Sequence, residues 1–247
     1  MTSFLLALQF LTIIPVRLKD VNAKLMARSM IWFPFVGAIL GFILIAAADL
    51  LSRSGFPSLS VDTVVIILLV LLTGGMHLDG LSDTFDAVLS GKNKEEMLRI
   101  MRDSHAGVMG ILAIVSIILL KIAFLYAISS PLKPMALVLM CIVSRWSMVF
   151  SMFLFPYARE EGKAKAYING MNLKTFILAT LVVLVFIMGI FSMMEASIFL
   201  LVAVCTYLIG GSFNKKIGGI TGDTLGALCE INEVVILASV IIISKIL

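Results

Sequence analysis

Residues 77 to 87, HLDGLSDTFDA, set Asp79, Asp83 and Asp86 at spacings of four and three. On a helix these positions fall within about 60° of one another, so three carboxylates share one face. Stacked like charges repel by about 0.2–0.5 kcal/mol per exposed pair, and by more where lipid lowers the local dielectric. A divalent cation reverses the sign. The stretch offers hard oxygen donors, which points to magnesium or manganese. Magnesium typically takes one or two carboxylates and completes its shell with water and substrate phosphates. The competing reading is a solvated helix start. Surface acids are usually interleaved with Lys or Arg, however, and neither occurs from Ser54 to Gly91.

A second segment, IGGITGDTLGALCEINE at 217 to 233, surrounds Asp223 with Gly218, Gly219, Gly222 and Gly226 and continues to Glu230 and Glu233. If it opens an apolar helix, Asp223 and Glu230 share a face, and an acid at mid-span costs roughly 2.5–3.5 kcal/mol unless partnered or in a wet cavity. The glycines let backbone approach a ligand, and amides at a helix N-terminus suit phosphate. Gly222 and Gly226 also read as a small-xxx-small packing pair, and both readings stand.

Lys92 to Gly107 reads as a short polar helix with Asn93 as its cap, and its Glu95, Glu96 and Arg99 as a solvated face. Arg102, Asp103 and His105 follow where the chain returns to apolar sequence. An Arg there could grip a phosphate with its planar fork. The YAREEG run at 157 to 162 could be a surface loop or a second phosphate clamp. Arg145 stands alone inside an apolar run, which calls for an interior acid as partner or a water-filled cavity.

The elements that must position these groups are membrane helices. Of 247 residues 61% are hydrophobic and 14% charged, far from the roughly 25% charged of soluble domains. Seven apolar runs, about 29–48, 61–78, 106–126, 134–155, 175–194, 196–214 and 224–244, are each near the ~20 residues a crossing helix needs. Phe4 to Val16 is too short to span and lacks the flanks of a signal peptide, so it is expected as an interfacial or re-entrant helix. The expected fold is an all-α polytopic bundle in the lipid bilayer, one catalytic domain over residues 1–247. Cys141, Cys205 and Cys229 have no metal or disulfide spacing and are expected as buried free thiols.

Seven crossings put 14 of the 19 Lys and Arg on one side and three, Arg53, Lys133 and Lys245, on the other; Lys121 and Arg145 lie within spans. The positive-inside rule makes the basic side cytoplasmic and explains the net charge of +4 without nucleic acid. Most acids fall on that side too. A cation transporter would place its acids near the midplane, often in two similar halves. No halves repeat here, and acids beside arginines and glycines at one interface favour phosphoryl transfer.

Five ordered stretches carry a resemblance: LQFLTIIPVR at 8–17, TGGMHLDGLSDTFDAV at 73–88, MRDSHAGVMG at 101–110, the YAREEG run, and GGITGDTLGALCEINE at 218–233. In them the chain resembles the cobalamin synthase family, adenosylcobinamide-GDP ribazoletransferase. The family commonly has Arg where His105 stands and Phe where Met76 stands. The resemblance implies that a hydroxyl of α-ribazole, or of its 5'-phosphate, attacks the phosphorus nearest the aminopropanol arm of adenosylcobinamide-GDP. GMP leaves, and magnesium is the cofactor. It also implies metal ligands among Asp79, Asp83, Asp86, Asp223 and Glu230, and reacting groups among Asp83, Asp86, Asp103, Arg102 and Arg145. Substrate contacts are expected from His77, Arg159, Glu160, Gly218, Gly219, Thr221 and Gly222. The implied partners are the corrinoid nucleotide, the ribazole and the cell membrane; a homo-oligomer is left open. A CDP-alcohol phosphotransferase is the alternative enzyme, but no second Asp stands three before Asp79 and no Arg follows it closely.

Overall fold

The computed structural model describes residues 1–16, 18, 21–103, 105–190 and 193–245. Arg17, Lys19 and Asp20, together with Ser104 of the MRDSHAGVMG stretch, lie outside them. The described residues form helices and no strand: α1 (Thr2–Leu11), α2 (Ala23–Ser29), α3 (Phe33–Arg53), α4 (Ser58–Leu72), α5 (Met76–Val88), α6 (Lys94–Ile100), α7 (Val108–Ala127), α8 (Lys133–Leu154), α9 (Lys165–Gly170), α10 (Leu173–Ile190), α11 (Met193–Ile217) and α12 (Gly222–Ile243).

Five segments are long and apolar enough to cross a membrane unaided: Ala23–Arg53, Val108–Ala127, Ser130–Leu154, Ala196–Ile217 and Gly222–Ile243. Their mean hydropathies run from 1.9 to 2.7, and large apolar side chains such as Ile111, Leu112, Val115 and Leu119 of α7 point outward, which only a lipid surround tolerates in such number. The protein is a multi-pass, all-helical membrane protein. Two expected spans differ in form. The run 61–78 breaks at Leu72: Gly74 and Gly75, at φ 63° and 69°, turn the chain, and α5 leaves α4 at 87°. Residues 175–194 correspond to α10, whose apolar stretch Leu173–Ile187 is shorter than the five.

α8 is the most enclosed helix, with α3, α10, α11 and α12 around it. Lipid tails are as apolar as Leu, so close contact rather than escape from water holds such helices together. Gly41 supplies that contact, since a Cβ there would sit 2.8 Å from the Val138 backbone. Cys141 and Cys229 are buried free thiols as expected, and Cys205 is half-buried.

Candidate active site

α5 crosses the N-terminal turns of α12. A Cβ on Gly80 would lie 2.7 Å from the Asp223 carbonyl, and one on Gly226 3.0 Å from the His77 carbonyl, so the crossing depends on both glycines. Gly226 is thereby a packing residue. The crossing sets the α5 aspartates beside Asp223, although the two segments are far apart in sequence.

Arg159 reaches the same place by a short parallel bridge. Ala158 N–H donates to the Ile220 carbonyl (2.9 Å) and Ile220 N–H to the Pro156 carbonyl (2.8 Å). Arg159 Nη2 then donates to Asp223 Oδ2 at 2.6 Å. Its Nε is buried without a partner among the described residues.

Asp79 is exposed, and Asp83 and Asp223 are half-buried. Burial, and then the charges of Asp79 and Asp223, push the Asp83 carboxyl up to about 7; Arg159 opposes this without cancelling it. Three carboxylates thus face one guanidinium. Beside them is a cavity of about 250 Å³ lined by His77, Asp79, Tyr157, Arg159, Lys163 and Gly222, with Phe10 and Met148 among its apolar walls. His77 is 1% exposed and neither ring nitrogen has a partner, a costly state for a buried polar group unless a ligand completes it.

Other expected site residues have different duties. Both oxygens of Asp86 are taken at the start of α7, by Gly107 N–H (2.7 Å) and Gly110 N–H (2.8 Å). It satisfies two of the amides that a helix N-terminus leaves unpaired. Thr221 is buried and caps α12, accepting from Thr224 N–H (3.2 Å), and its hydroxyl lies 3.3 Å from Asp223 Oδ2. Gly219 lies against the 156–158 backbone and Gly218 under the Lys94 side chain, so Gly222 is the glycine of that segment that lines the cavity. Glu160 is exposed, its carbonyl accepting from Lys165. Arg102 is exposed at the end of α6, and its charge reaches Tyr157. Asp103 is exposed and bonded to the His105 ring (2.7 Å).

Glu230 and Arg145 are the clearest corrections. Seven residues of α12 carry Glu230 about 10 Å deeper than Asp223. There Lys121 of α7 donates to Glu230 (2.5 Å) and to Glu233, and Arg145 of α8 donates to Glu233 and to Ser144 Oγ (3.0 Å). All four charges are buried. Arg145 has the interior acid that its position called for, but it is not a phosphate contact, and Glu230 is no ligand for an ion at the aspartates. The sequence reading missed Lys121, although a lone Lys in an apolar run carries the same signal as Arg145. It also missed Tyr157 and Lys163, which flank the YAREEG arginine.

The model of one family, cobalamin-5-phosphate synthase, matches residues 3–241, a span that includes every element of this site. The chain belongs to the cobalamin-5-phosphate synthase family. Relatives within reach of this family are named adenosylcobinamide-GDP ribazoletransferase. That of Roseiflexus sp. is 40% identical over 241 residues, covering 94% of this chain and 87% of the relative. That of Desulforamulus reducens is 35% identical (94% and 93% covered), and that of Thermoanaerobacter pseudethanolicus 36% identical (97% and 96% covered). No solved structure matches. Among the described residues, no three His, Cys, Asp or Glu side chains converge closely enough to enclose a metal ion.

Proposed function

We propose that this membrane enzyme transfers the adenosylcobinamide phosphate of adenosylcobinamide-GDP to α-ribazole or its 5'-phosphate, releasing GMP and completing the nucleotide loop of adenosylcobalamin. The observation that carries the reading is the crossing of α5 and α12, which sets Asp79, Asp223 and Arg159 in the wall of one cavity, with Asp83 close enough to feel the charge of all three.

The neighbouring carboxylates of Asp79, Asp83 and Asp223 supply the hard oxygen donors that a divalent cation takes. An open arrangement suits magnesium, which keeps waters and binds substrate phosphates. Asp79 and Asp223 would hold it, and when bound it would neutralise charge on the pyrophosphate. Arg159, braced by Asp223, has its Nε free to donate to a phosphate oxygen. His77 is free to hydrogen-bond the substrate. Asp83 takes the proton of the ribazole hydroxyl as its oxygen bonds to phosphorus and the pyrophosphate P–O bond breaks, and GMP leaves with the bridging oxygen.

The test is to incubate the purified, detergent-solubilised protein with adenosylcobinamide-GDP, α-ribazole and magnesium, and to assay corrinoid product and GMP across pH. A base with a raised pKa loses its reactive, deprotonated form as pH falls through that value. The rate should therefore fall on the acid side with an apparent pKa between the ordinary 3.8 and about 7. A bound cation favours the carboxylate, so the limb should move toward 7 as magnesium is lowered. No GMP would end the reading, and a limb indifferent to magnesium would remove Asp83 as base.

We also infer that the site faces the cytoplasm at the cell membrane, since 14 of the 19 basic residues share its side. In a cysteine-free background, single cysteines beside Lys94 and Lys165 should be shielded from an impermeant thiol reagent in intact cells, while one beside Arg53 reacts. Labelling at Lys94 would reverse the orientation.

A further inference from the structure

A larger cavity, about 1150 Å³, opens beside the acidic one and shares Gly162 as part of its wall. It lies between α2, the short turn that leads into α3, α9 and the start of α10. Among the described residues four cations line it, Lys24, Arg28, Lys165 and Lys174, and no acid does. Lys24, Arg28 and Lys174 have no ion-pair partner among the described residues. Its walls are built. Asn22 caps α2 through Leu25 N–H (2.9 Å), Asn172 caps α10 through Thr175 N–H (3.0 Å), and Trp32, half-buried in the lining, donates its indole N–H to Ser3 of α1 (3.1 Å).

All four cations are exposed, so their repulsion is small in water and grows where lipid lowers the local dielectric, and an anion among them relieves it. This hollow sits where α2 runs into a membrane span and α10 begins, the depth at which Trp anchors and basic side chains meet headgroups. Its volume exceeds that of a lone phosphate and admits a phosphate with its glycerol. We propose that the cavity is a binding site for the phosphate of an anionic phospholipid headgroup. The lipid is held against the segment that carries Gly162 and Arg159, so the bilayer itself becomes a ligand at the wall of the acidic site. This inference does not depend on the reaction assigned above.

Trp32 and Trp146 are the two tryptophans, and Trp146 is buried against α10 and α11. In a Trp146→Phe background, Trp32 alone reports on the cavity. The protein is placed in nanodiscs of phosphatidylcholine containing a minor fraction of brominated phosphatidylglycerol or, in the matched sample, brominated phosphatidylcholine. The brominated phosphatidylglycerol should quench Trp32 at least about twofold more per mole fraction. Lys24→Gln/Arg28→Gln/Lys174→Gln should abolish the preference, and Lys92→Gln/Lys215→Gln, basic residues outside the cavity, should leave it intact. Equal quenching by the two lipids overturns the proposal, as does a preference that survives the triple substitution or is lost in the control. Displacement by millimolar inorganic phosphate or GMP would assign the same cations to a soluble phosphate, which also overturns the lipid assignment.

Discussion

Lys121→Met should destabilise the fold by about 3–5 kcal/mol, the usual consequence of removing one partner from a buried ion pair. Lys121 neutralises Glu230 and shares Glu233 with Arg145, so two cations meet two anions with no surface exposure to speak of. Without Lys121, Glu230 is a bare carboxylate between α7 and α12. Lys121→Met/Glu230→Gln removes one charge of each sign and leaves Arg145 with Glu233, so most of the lost stability should return. Thermal or denaturant unfolding in detergent gives both numbers, and the cycle gives their coupling. If the double variant is as unstable as the single one, the four side chains do not act as a charge-balanced unit. The balance also bears on the transporter reading: acids that move ions need an open partner, whereas these are matched by cations from neighbouring helices.

The sequence already carried the logic of that quartet, but not its membership. Arg145 in an apolar run demands an interior acid, which either acidic segment could supply; that Glu233 meets it and Glu230 meets Lys121 depends on how α7, α8 and α12 rotate against one another, which periodicity does not fix. The aspartate stripe of α5 was legible for the opposite reason, because spacing within one helix determines its face. Asp86 shows the limit of that argument. It shares the stripe, yet it is claimed by amides 21 and 24 residues further on, a contact that exists only because Gly107 and Gly110 let α7 start against α5. Likewise the apolar run past Leu72 read as continuous, and only the left-handed Gly74 and Gly75 together show that it turns. The glycines around Asp223 allow both ligand approach and a Gly222/Gly226 packing pair; Gly218, Gly219 and Gly226 are committed to close backbone or side-chain approach, and Gly222 lines the cavity.

Substituting Asn along the acidic residues should separate the duties that this geometry distinguishes. Asn keeps the size of Asp while removing the charge that holds a hard cation, so Asp79→Asn and Asp223→Asn should insert normally and lose activity by orders of magnitude, with partial recovery at raised magnesium. Asp223→Asn also loosens Arg159, whose bond to the carboxylate is charge-assisted, so its recovery should be the poorer of the two. Asp83→Asn removes the proposed proton acceptor and should not recover at any magnesium concentration. It should, however, raise the unfolding temperature of the metal-free protein at pH 8. The sign follows from the direction of the shift: a carboxyl whose folded pKa is above its unfolded one weakens the fold as pH rises from about 4 to about 7, and Asn cannot ionise. Asp86→Asn should behave differently again, since an amide can accept with one oxygen only and leaves one α7 N–H unmet; a stability loss of about 1–3 kcal/mol should precede any loss of turnover. Asp103→Asn, at an exposed side chain that bonds to the His105 ring and backbone N–H, should retain near-normal activity. Normal turnover of adenosylcobinamide-GDP by the Asp79, Asp83 and Asp223 variants would refute the acidic cavity as the reacting site, because Asp79 and Asp223 are the acids of its wall among the described residues and Asp83 is the acid whose charge they share.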